Sequence, residues 1–281
     1  MKLRYLSLFL FIIAIFYGCA STGSHYEYGM QFYEAGKLDE AIEEFQASIS
    51  VNPSDPVVHK ALGDVFADKG LLLEAVTEWE VAHKLRPNYP EVQVKLETSY
   101  MTLGKEDYDK GKVESAKELW RRAIELNSNN VEAHKRLGLV YYSIKDYSSA
   151  IPEFEYVIEK NPTDDIVYKK LGKAYYVKGR LKEAITAYEA LTRLKPTDAT
   201  AYNNIGSIYI KMKKYDEAIH VLRTAIKLMP DVHTLYNNLG SAYYNKGEYS
   251  EARKQWGKAL QIKPMDKTAL QNLKTLESMG E

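Results

Sequence analysis

The histidines of this chain have the widest chemical range of its side chains, but they are not arranged for catalysis or metal binding. The 281 residues include six histidines, and His25, His59 and His134 share one position of a repeated unit. The sequence has no His-Glu-x-x-His pair, no glycine-rich phosphate loop followed by Lys-Ser or Lys-Thr, and no Gly-x-Ser-x-Gly elbow. We therefore interpret these histidines as packing residues and expect a non-enzymatic protein without a metal or cofactor.

Basic and amide side chains that recur at matching positions of successive repeats offer binding chemistry instead. Asparagine amides both donate and accept hydrogen bonds, so they can bind the backbone of an extended peptide, while lysine and arginine favour acidic groups. The candidate peptide-binding residues are Lys135, Arg136, Tyr142, Lys169, Lys170, Lys173, Tyr176, Asn203, Asn204, Asn237, Asn238 and Tyr244. The alternative is a solvated helix face that is basic by chance.

The first residues are typical of a secretory signal. Lys2 and Arg4 precede an apolar stretch from Leu6 to Tyr17. A spanning helix needs about 20 apolar residues, so this stretch is too short to be one. The sequence therefore predicts a signal peptide over residues 1–18.

The only cysteine of the chain, Cys19, follows this stretch directly. The segment Phe16-Tyr17-Gly18-Cys19-Ala20 resembles the lipobox of bacterial lipoproteins, which implies cleavage after Gly18 and a lipid on Cys19. By the same resemblance, Ala20 in place of aspartate favours the outer membrane, with the protein facing the periplasm and residues 19–24 as a short tether. The alternatives are an ordinary signal peptide with an incidental cysteine, or an uncleaved anchor.

Several positions recur at one fixed spacing and predict the architecture. Leucine or isoleucine followed by glycine stands at 137–138, 171–172, 205–206 and 239–240, and proline at 162, 196, 230 and 264. The recurrence divides the chain into seven units, 22–55, 56–89, 90–130, 131–164, 165–198, 199–232 and 233–266, with a tail at 267–281. Such a period indicates an array of structural units.

Each unit has the pattern of two antiparallel helices. Glycine or lysine separates the two apolar runs, at Gly36, Gly70, Gly111, Lys145, Gly179, Lys213 and Gly247. Glycine at that point suits the left-handed conformation that often ends a helix. Asp55, Asp164 and Asp198 are expected to cap the following helices. All three tryptophans fall at one repeat position and are predicted to be core residues.

These residues resemble the tetratricopeptide repeat, a family in which one unit is about 34 residues long. The resemblance covers residues 22–266. It implies an all-α, right-handed superhelical solenoid of about seven helix pairs, with a concave groove lined by the first helices. The tail at 267–281 is expected to form a capping helix that buries a stripe of Leu270, Leu273 and Leu276.

The third unit, 90–130, carries seven extra residues. Seven residues are nearly two helical turns, so Leu96 and Leu103 occupy equivalent places. The sequence predicts either a first helix lengthened to about Lys110 or one broken near Gly104. The extra residues are either a partner-binding element or a tolerated insertion.

The overall charge is balanced, with 38 basic and 38 acidic residues, so no nucleic-acid partner is expected. The combined patterns predict a scaffold on a bacterial envelope membrane that binds peptide segments of other envelope proteins. The chain resembles tetratricopeptide lipoproteins that assist type IV pilus or secretin assembly, and also those that act as adaptors for cell-wall hydrolases. The alternative is an accessory subunit of an enzyme complex for cell-wall or polysaccharide synthesis or export.

Overall fold

The computed structural model describes residues 22–279, and all regular secondary structure in that range is α-helical, as the repeat pattern predicts. The helices are α1 Thr22–Glu34, α2 Leu38–Val51, α3 Pro56–Asp68, α4 Leu72–Leu85, α5 Pro90–Asp109, α6 Val113–Leu126, α7 Val131–Ser143, α8 Tyr147–Lys160, α9 Asp165–Val177, α10 Leu181–Leu194, α11 Ala199–Lys211, α12 Tyr215–Leu228, α13 His233–Lys246, α14 Tyr249–Ile262 and α15 Lys267–Ser278. No helix of the described range is long and apolar enough to span a membrane.

The chain separates into two compact units, one ending at Asn130 and one beginning at Val131. In the first unit, α1 to α6 form three helix pairs. In the second unit, α7 to α14 form four pairs, and α15 packs against the last of them. Within each unit, consecutive pairs stack on one another as in a solenoid.

The turn inside each pair holds one residue in the left-handed conformation. Five of these residues are glycines, and the other two are Lys145 at φ 64° and Lys213 at φ 60°. Left-handed backbone costs a residue with a Cβ atom roughly 1–2 kcal/mol. These two lysines therefore hold a strained backbone, because the repeat requires a sharp turn there.

Aspartates begin several of the first helices, as predicted. The side chains of Asp55, Asp164 and Asp198 accept hydrogen bonds from backbone N–H groups two or three residues further on. Asp266 caps α15 in the same way. These caps satisfy N–H groups that the helix itself leaves without a partner.

Each pair is held by a glycine of the first helix that faces a large side chain of the second. A Cβ atom built on Gly63, Gly104 or Gly240 would lie 2.4–2.6 Å from ring atoms of the tryptophan on the second helix of the same pair. Trp79, Trp120 and Trp256 are only 3%, 2% and 2% exposed, which confirms that they are core residues. A larger residue at these glycines would force the two helices apart.

The seven extra residues of the third unit lengthen α5, which runs unbroken to Asp109 and is capped by Lys110. The alternative of a break near Gly104 was wrong. Two parts of this helix align with the repeat differently, and we call these two alignments its two registers. Tyr100 contacts Glu80 of the preceding second helix, 20 residues earlier, as Tyr175 contacts Glu155, whereas Gly104 packs on Trp120 of its own second helix. In an ordinary unit the tyrosine follows the glycine by three residues, as Tyr175 follows Gly172, whereas Tyr100 precedes Gly104 by four. The two contacts are therefore shifted relative to one another by seven residues, or about two turns.

Helix α15 covers the end of the second unit's core. Ala269 and Leu276 are fully buried, and Leu273 packs against them. Leu270 is 44% exposed, so the predicted stripe was wrong at that residue. Ala269 takes its place because it lies two helical turns before Leu276, on the same helix face.

Candidate functional site

All twelve candidate binding residues lie in the second unit, on the first helices α7, α9, α11 and α13. The structure does not leave them all available for a ligand. Some are tied to neighbouring helices, some pack in the core, and a few remain on the surface. Cys19, the predicted lipid site, lies outside the described residues.

Two of the candidates, Lys135 and Asn237, are used inside the fold. The Lys135 Nζ donates to Asp164 Oδ2 at 2.6 Å, and the Asn237 Nδ2 donates to Asp266 Oδ1 at 2.8 Å. Asn237 is also 5% exposed. Each side chain thus orients an aspartate that caps the next pair or the capping helix, and a peptide ligand at these two residues would have to compete with those hydrogen bonds.

Asn203 and Asn238 bond to each other instead of forming a free row of amides. The Asn238 Nδ2 donates to Asn203 Oδ1 at 2.7 Å and lies 3.2 Å from Ser207 Oγ. This contact joins α11 directly to α13. Asn204 takes no part in this contact between Asn203 and Asn238.

Arg136, Tyr142 and Tyr244 are held by local contacts. The Arg136 Nε donates to Glu132 Oε1 at 2.8 Å, one turn earlier on α7. The Tyr142 ring meets Tyr147 edge-on, and the Lys170 Nζ lies 4.5 Å above its centroid. Burial raises the pKa of the Tyr142 phenol above its ordinary value.

Tyr244 packs against the last pair and the capping helix. Its ring lies 5.5 Å from that of Tyr249 and 5.7 Å from that of Trp256, measured between centroids. Its hydroxyl lies 3.2 Å from Met279 Sδ. The residue therefore helps to fix α15 rather than forming an open contact surface.

Tyr176 is the centre of the remaining polar surface. The Nζ of Lys173 lies 5.3 Å from its ring centroid, and that of Lys211 lies 4.9 Å away. Lys211 ends α11 and was not predicted, although its position in the sequence, one turn after Ser207, places it on the same face. Two ammonium groups close to one aromatic ring make a compact cationic site.

A recess of about 210 Å³ adjoins Tyr176. Its wall is formed by Lys173, Tyr176, Tyr188, Asn204, Ser207 and Ile208. Burial raises the pKa of the Tyr188 phenol, while a hydrogen bond with Asn204 opposes this shift. The recess therefore combines a cation, neutral hydroxyls and an amide. We call Lys169, Lys173, Tyr176, Asn204, Ser207 and Lys211 the groove patch.

The three histidines that share a repeat position do pack, as predicted, but each also holds an acidic partner that sequence reasoning missed. The Nδ1 atoms of His25, His59 and His134 lie 2.7, 2.6 and 2.6 Å from the carboxylates of Glu44, Glu78 and Glu153. Each glutamate follows its histidine by 19 residues, a spacing that repeats in the sequence. Among residues 22–279, no group of three His, Cys, Asp or Glu side chains is placed to hold a metal ion.

Comparison with protein families is decisive for the repeat. A family model described as TPR repeat matches residues 29–70, 104–145, 172–213 and 206–247, together more than half of the 281 residues. A second model, described as Tetratricopeptide repeat, matches residues 233–266. The chain belongs to the tetratricopeptide repeat family. One match begins at Gly104, in agreement with the register in which Gly104 packs on Trp120.

Solved structures of this family resemble the tetratricopeptide array described above. A crystal structure of MamA is 29% identical, with a TM-score of 0.57 over 60% of this chain and 93% of that one. MamA from Desulfovibrio magneticus, from residue 41 onward, is 20% identical, with a TM-score of 0.55 over 61% and 97%. Part of a TPR protein from Cytophaga hutchinsonii is 18% identical, with a TM-score of 0.52 over 88% and 99%.

No curated protein matches the sequence significantly. The function supported by the family is that of tetratricopeptide arrays in general, which are scaffolds for protein–protein interaction. Arrays of this kind typically carry no catalytic site of their own. Tetratricopeptide proteins bind partner proteins or peptides, and the groove patch is a surface of this array where the structure leaves suitable chemistry accessible.

Proposed function

We propose that the second unit binds peptide segments of partner proteins at the groove patch and prefers acidic ones. The observation that carries this proposal is the pair of ammonium groups, Lys173 and Lys211, near the Tyr176 ring, beside the recess that contains Asn204. No carboxylate of the described residues is recorded within ion-pairing distance of either lysine. An acidic side chain or a terminal carboxylate from a partner would supply the missing negative charge.

The recess gives the patch a second type of contact. Asn204 presents an amide, and Ser207 presents a hydroxyl beside it. These groups can bond the backbone of an extended segment without selecting its side chains. Lys169, exposed on α9, has no recorded partner in the described part of the chain and extends the positive surface. Charge then selects the segment, and the amide holds its backbone.

The test is partner capture by the second unit's groove patch in the full-length protein. We expect Lys173→Glu with Asn204→Ala to reduce recovery of crosslinked partners at least tenfold relative to the unmodified protein. The matched control is Lys182→Glu with Gln261→Ala, which makes the same kinds of change on the second helices, away from the groove patch. An unchanged partner set in the first variant would refute the assignment.

We also propose that Cys19 carries a lipid that holds the array on a bacterial envelope membrane. The expected location is the outer membrane, with the protein facing the periplasm. The support is the basic start, the short apolar stretch and the single cysteine after Gly18. One acyl chain binds a membrane only marginally, so stable anchoring requires a second one. Mass spectrometry of the mature N-terminus should show an acylated Cys19, and an unmodified or uncut chain would contradict this.

The identity of the partner protein decides in which cellular process this protein takes part. The resemblance to lipoproteins of pilus or secretin assembly motivates the proposal that the partners are envelope proteins awaiting assembly. If the captured partner is instead a cell-wall or polysaccharide enzyme, the chain is its accessory subunit. Identification of the crosslinked protein separates these two functions.

A further inference from the structure

Similar clefts lie between the second helices of successive pairs. The first helix between those two second helices forms the floor of each cleft. The cleft between α4 and α6 measures about 430 Å³, and that between α8 and α10 about 290 Å³. The cleft between α12 and α14 measures about 960 Å³. A buried tyrosine stands at the same repeat position in each: Tyr100, Tyr175 and Tyr243.

An ion pair crosses the two smaller clefts. The Tyr100 hydroxyl donates to Glu80 at 2.7 Å, and the Arg122 Nη1 donates to the same oxygen at 2.9 Å. In the next cleft the Tyr175 hydroxyl donates to Glu155 at 2.5 Å, and the Arg180 Nη1 lies 3.6 Å from that carboxylate. In both cases the acidic residue precedes its tyrosine by 20 residues.

In the large cleft the charge at this position is reversed. Arg223 stands where Glu80 and Glu155 stand, and its Nη2 donates to the Tyr243 hydroxyl at 2.5 Å. Glu248 occupies the position of Arg180, but it is bound by Lys246 at 2.6 Å, which also holds Asp216 at 2.7 Å. No carboxylate of the described chain is recorded as pairing with Arg223.

Three cationic or titratable side chains consequently line the α12 wall. His220, Arg223 and Lys227 follow one another at intervals of three and four residues and therefore share a helix face. None of them has a carboxylate partner recorded within residues 22–279. The opposite wall carries Glu251 and Lys254, whose charges lie 3.6 Å apart and offset each other. The net positive charge of the cleft is thus concentrated on α12.

We propose that the cleft between α12 and α14 is a second interaction site, which binds an extended acidic segment of a partner protein. The proposal does not depend on the groove patch, because the cleft is walled by second helices. Arg223 and Lys227 are one turn apart, or about 6 Å along the helix axis. Side chains at i and i+2 of an extended peptide lie on one face about 6.6 Å apart, so two acidic residues match the two cations.

The floor of the cleft favours a peptide over a small ion. Leu239 and Ile219 are buried beneath it, and Tyr236 is partly exposed at its side. The residue between the two acidic side chains points to the opposite face of the strand, away from the two cations, so the cations do not select it. The expected pattern is an acidic residue, any residue and a second acidic residue, which Glu-Phe-Glu provides.

The experiment measures binding of the peptide acetyl-Ser-Glu-Phe-Glu-Ser-amide to the full chain by calorimetry or fluorescence anisotropy. Because the groove patch also favours acidic segments, the cleft substitutions are made in the groove variant Lys173→Gln with Lys211→Gln, where Arg223→Gln with Lys227→Gln should weaken binding at least tenfold. Arg223→Glu with Glu248→Arg copies the Glu155 and Arg180 arrangement, so it should replace the cation that faces the peptide with a carboxylate and remove binding while keeping the helical fold. The groove variant Lys173→Gln with Lys211→Gln should bind this peptide at the cleft with unchanged affinity.

Several results would overturn the proposal. These are no binding by the unmodified chain at millimolar peptide, equal binding by the Arg223→Gln, Lys227→Gln variant, or loss of binding only in the groove variant. Equal binding of acetyl-Ser-Gln-Phe-Gln-Ser-amide would show that the cleft does not discriminate between charged and neutral side chains. Binding of anionic lipid vesicles without binding of the peptide would assign the cleft to a membrane surface and also refute the proposal.

Discussion

A side chain at the fifth position of a first helix lies within reach of the aspartate that caps the following first helix or the capping helix. Lys135 reaches Asp164 and Asn237 reaches Asp266, and both spacings are 29 residues. These residues have binding chemistry, but the fold uses it to orient caps. At the scale of residues, only side chains that are not used in such contacts can bind a partner. On the first helices of the second unit, these side chains form the groove patch around Tyr176.

The cap at Asp266 gives a prediction on pH. Hydrogen bonds from the Ala269 backbone and the Asn237 amide lower the pKa of this carboxyl below its ordinary value of 3.8. A lowered folded-state pKa contributes stability that is present above the unfolded value and is lost as pH falls through the folded value. Asp266→Ala should therefore cost about 0.5–2 kcal/mol at pH 7, and the difference should narrow below about pH 4.

Urea unfolding at pH 7, 5 and 3 measures this difference. Asp231→Ala is the control, because Asp231 is exposed and has no recorded partner in the described residues. The control should differ little from the unmodified protein at any of these pH values. A cost of Asp266→Ala that stays the same down to pH 3 would show that the charge of the cap is not involved.

Lys145 and Lys213 give a second prediction at the residue scale. Both occupy the left-handed turn that glycine takes in the other five pairs. Lys145→Gly and Lys213→Gly should each stabilise the second unit by about 0.5–1 kcal/mol, because relief of the left-handed strain exceeds the greater freedom of glycine in the unfolded chain. Denaturant unfolding tests this against Lys178→Gly, at a right-handed C-cap with φ −78°, which should not stabilise.

At the scale of elements, α5 shows how an insertion is accommodated. Tyr100, at its middle, contacts α4, and Gly104, one turn later, contacts α6. Seven residues return a helix to nearly the same face, so both contacts are made from one continuous helix. The step between the two registers is about two turns long.

Deletion of residues 97–103 tests this account of α5. It joins Leu96 to Gly104 and restores the Leu-Gly pair of a unit without the insertion. The shortened protein should remain helical and unfold cooperatively, with lower stability because the Tyr100 contacts with Glu80 and Arg122 are lost. Circular dichroism during thermal unfolding measures both properties. A non-cooperative transition would contradict the two-register description.

Most of the elements could be predicted from the sequence, while much of the binding surface could not. The period defines the helix pairs, the left-handed turns and the packed tryptophans, because each depends on residues close together in the chain. Lys211 over Tyr176 and the bond between Asn203 and Asn238 depend on the angle between adjacent first helices. That angle depends on how the side chains of the whole pair pack, and the spacing of residues in the sequence does not determine it.

At the scale of the whole molecule, 38 acidic and 38 basic residues cancel, and selectivity must therefore be local. The groove patch and the α12–α14 cleft are places in the second unit where cations lack recorded carboxylate partners. Interactions with such exposed cations are weakened by salt, since the Debye length falls to about 8 Å at 0.15 M ionic strength. Partner binding through either surface should accordingly weaken as salt is raised.

The central claim is that partner peptides occupy the groove patch. The most direct measurement places a photo-crosslinking side chain at Lys173 of the full-length protein in its native cell, with Lys182 as the control position, and identifies the linked peptides by mass spectrometry. The account predicts adducts at position 173 with acidic segments of partner proteins and none at position 182. Equal adducts at both positions, or adducts at 182 alone, would contradict it.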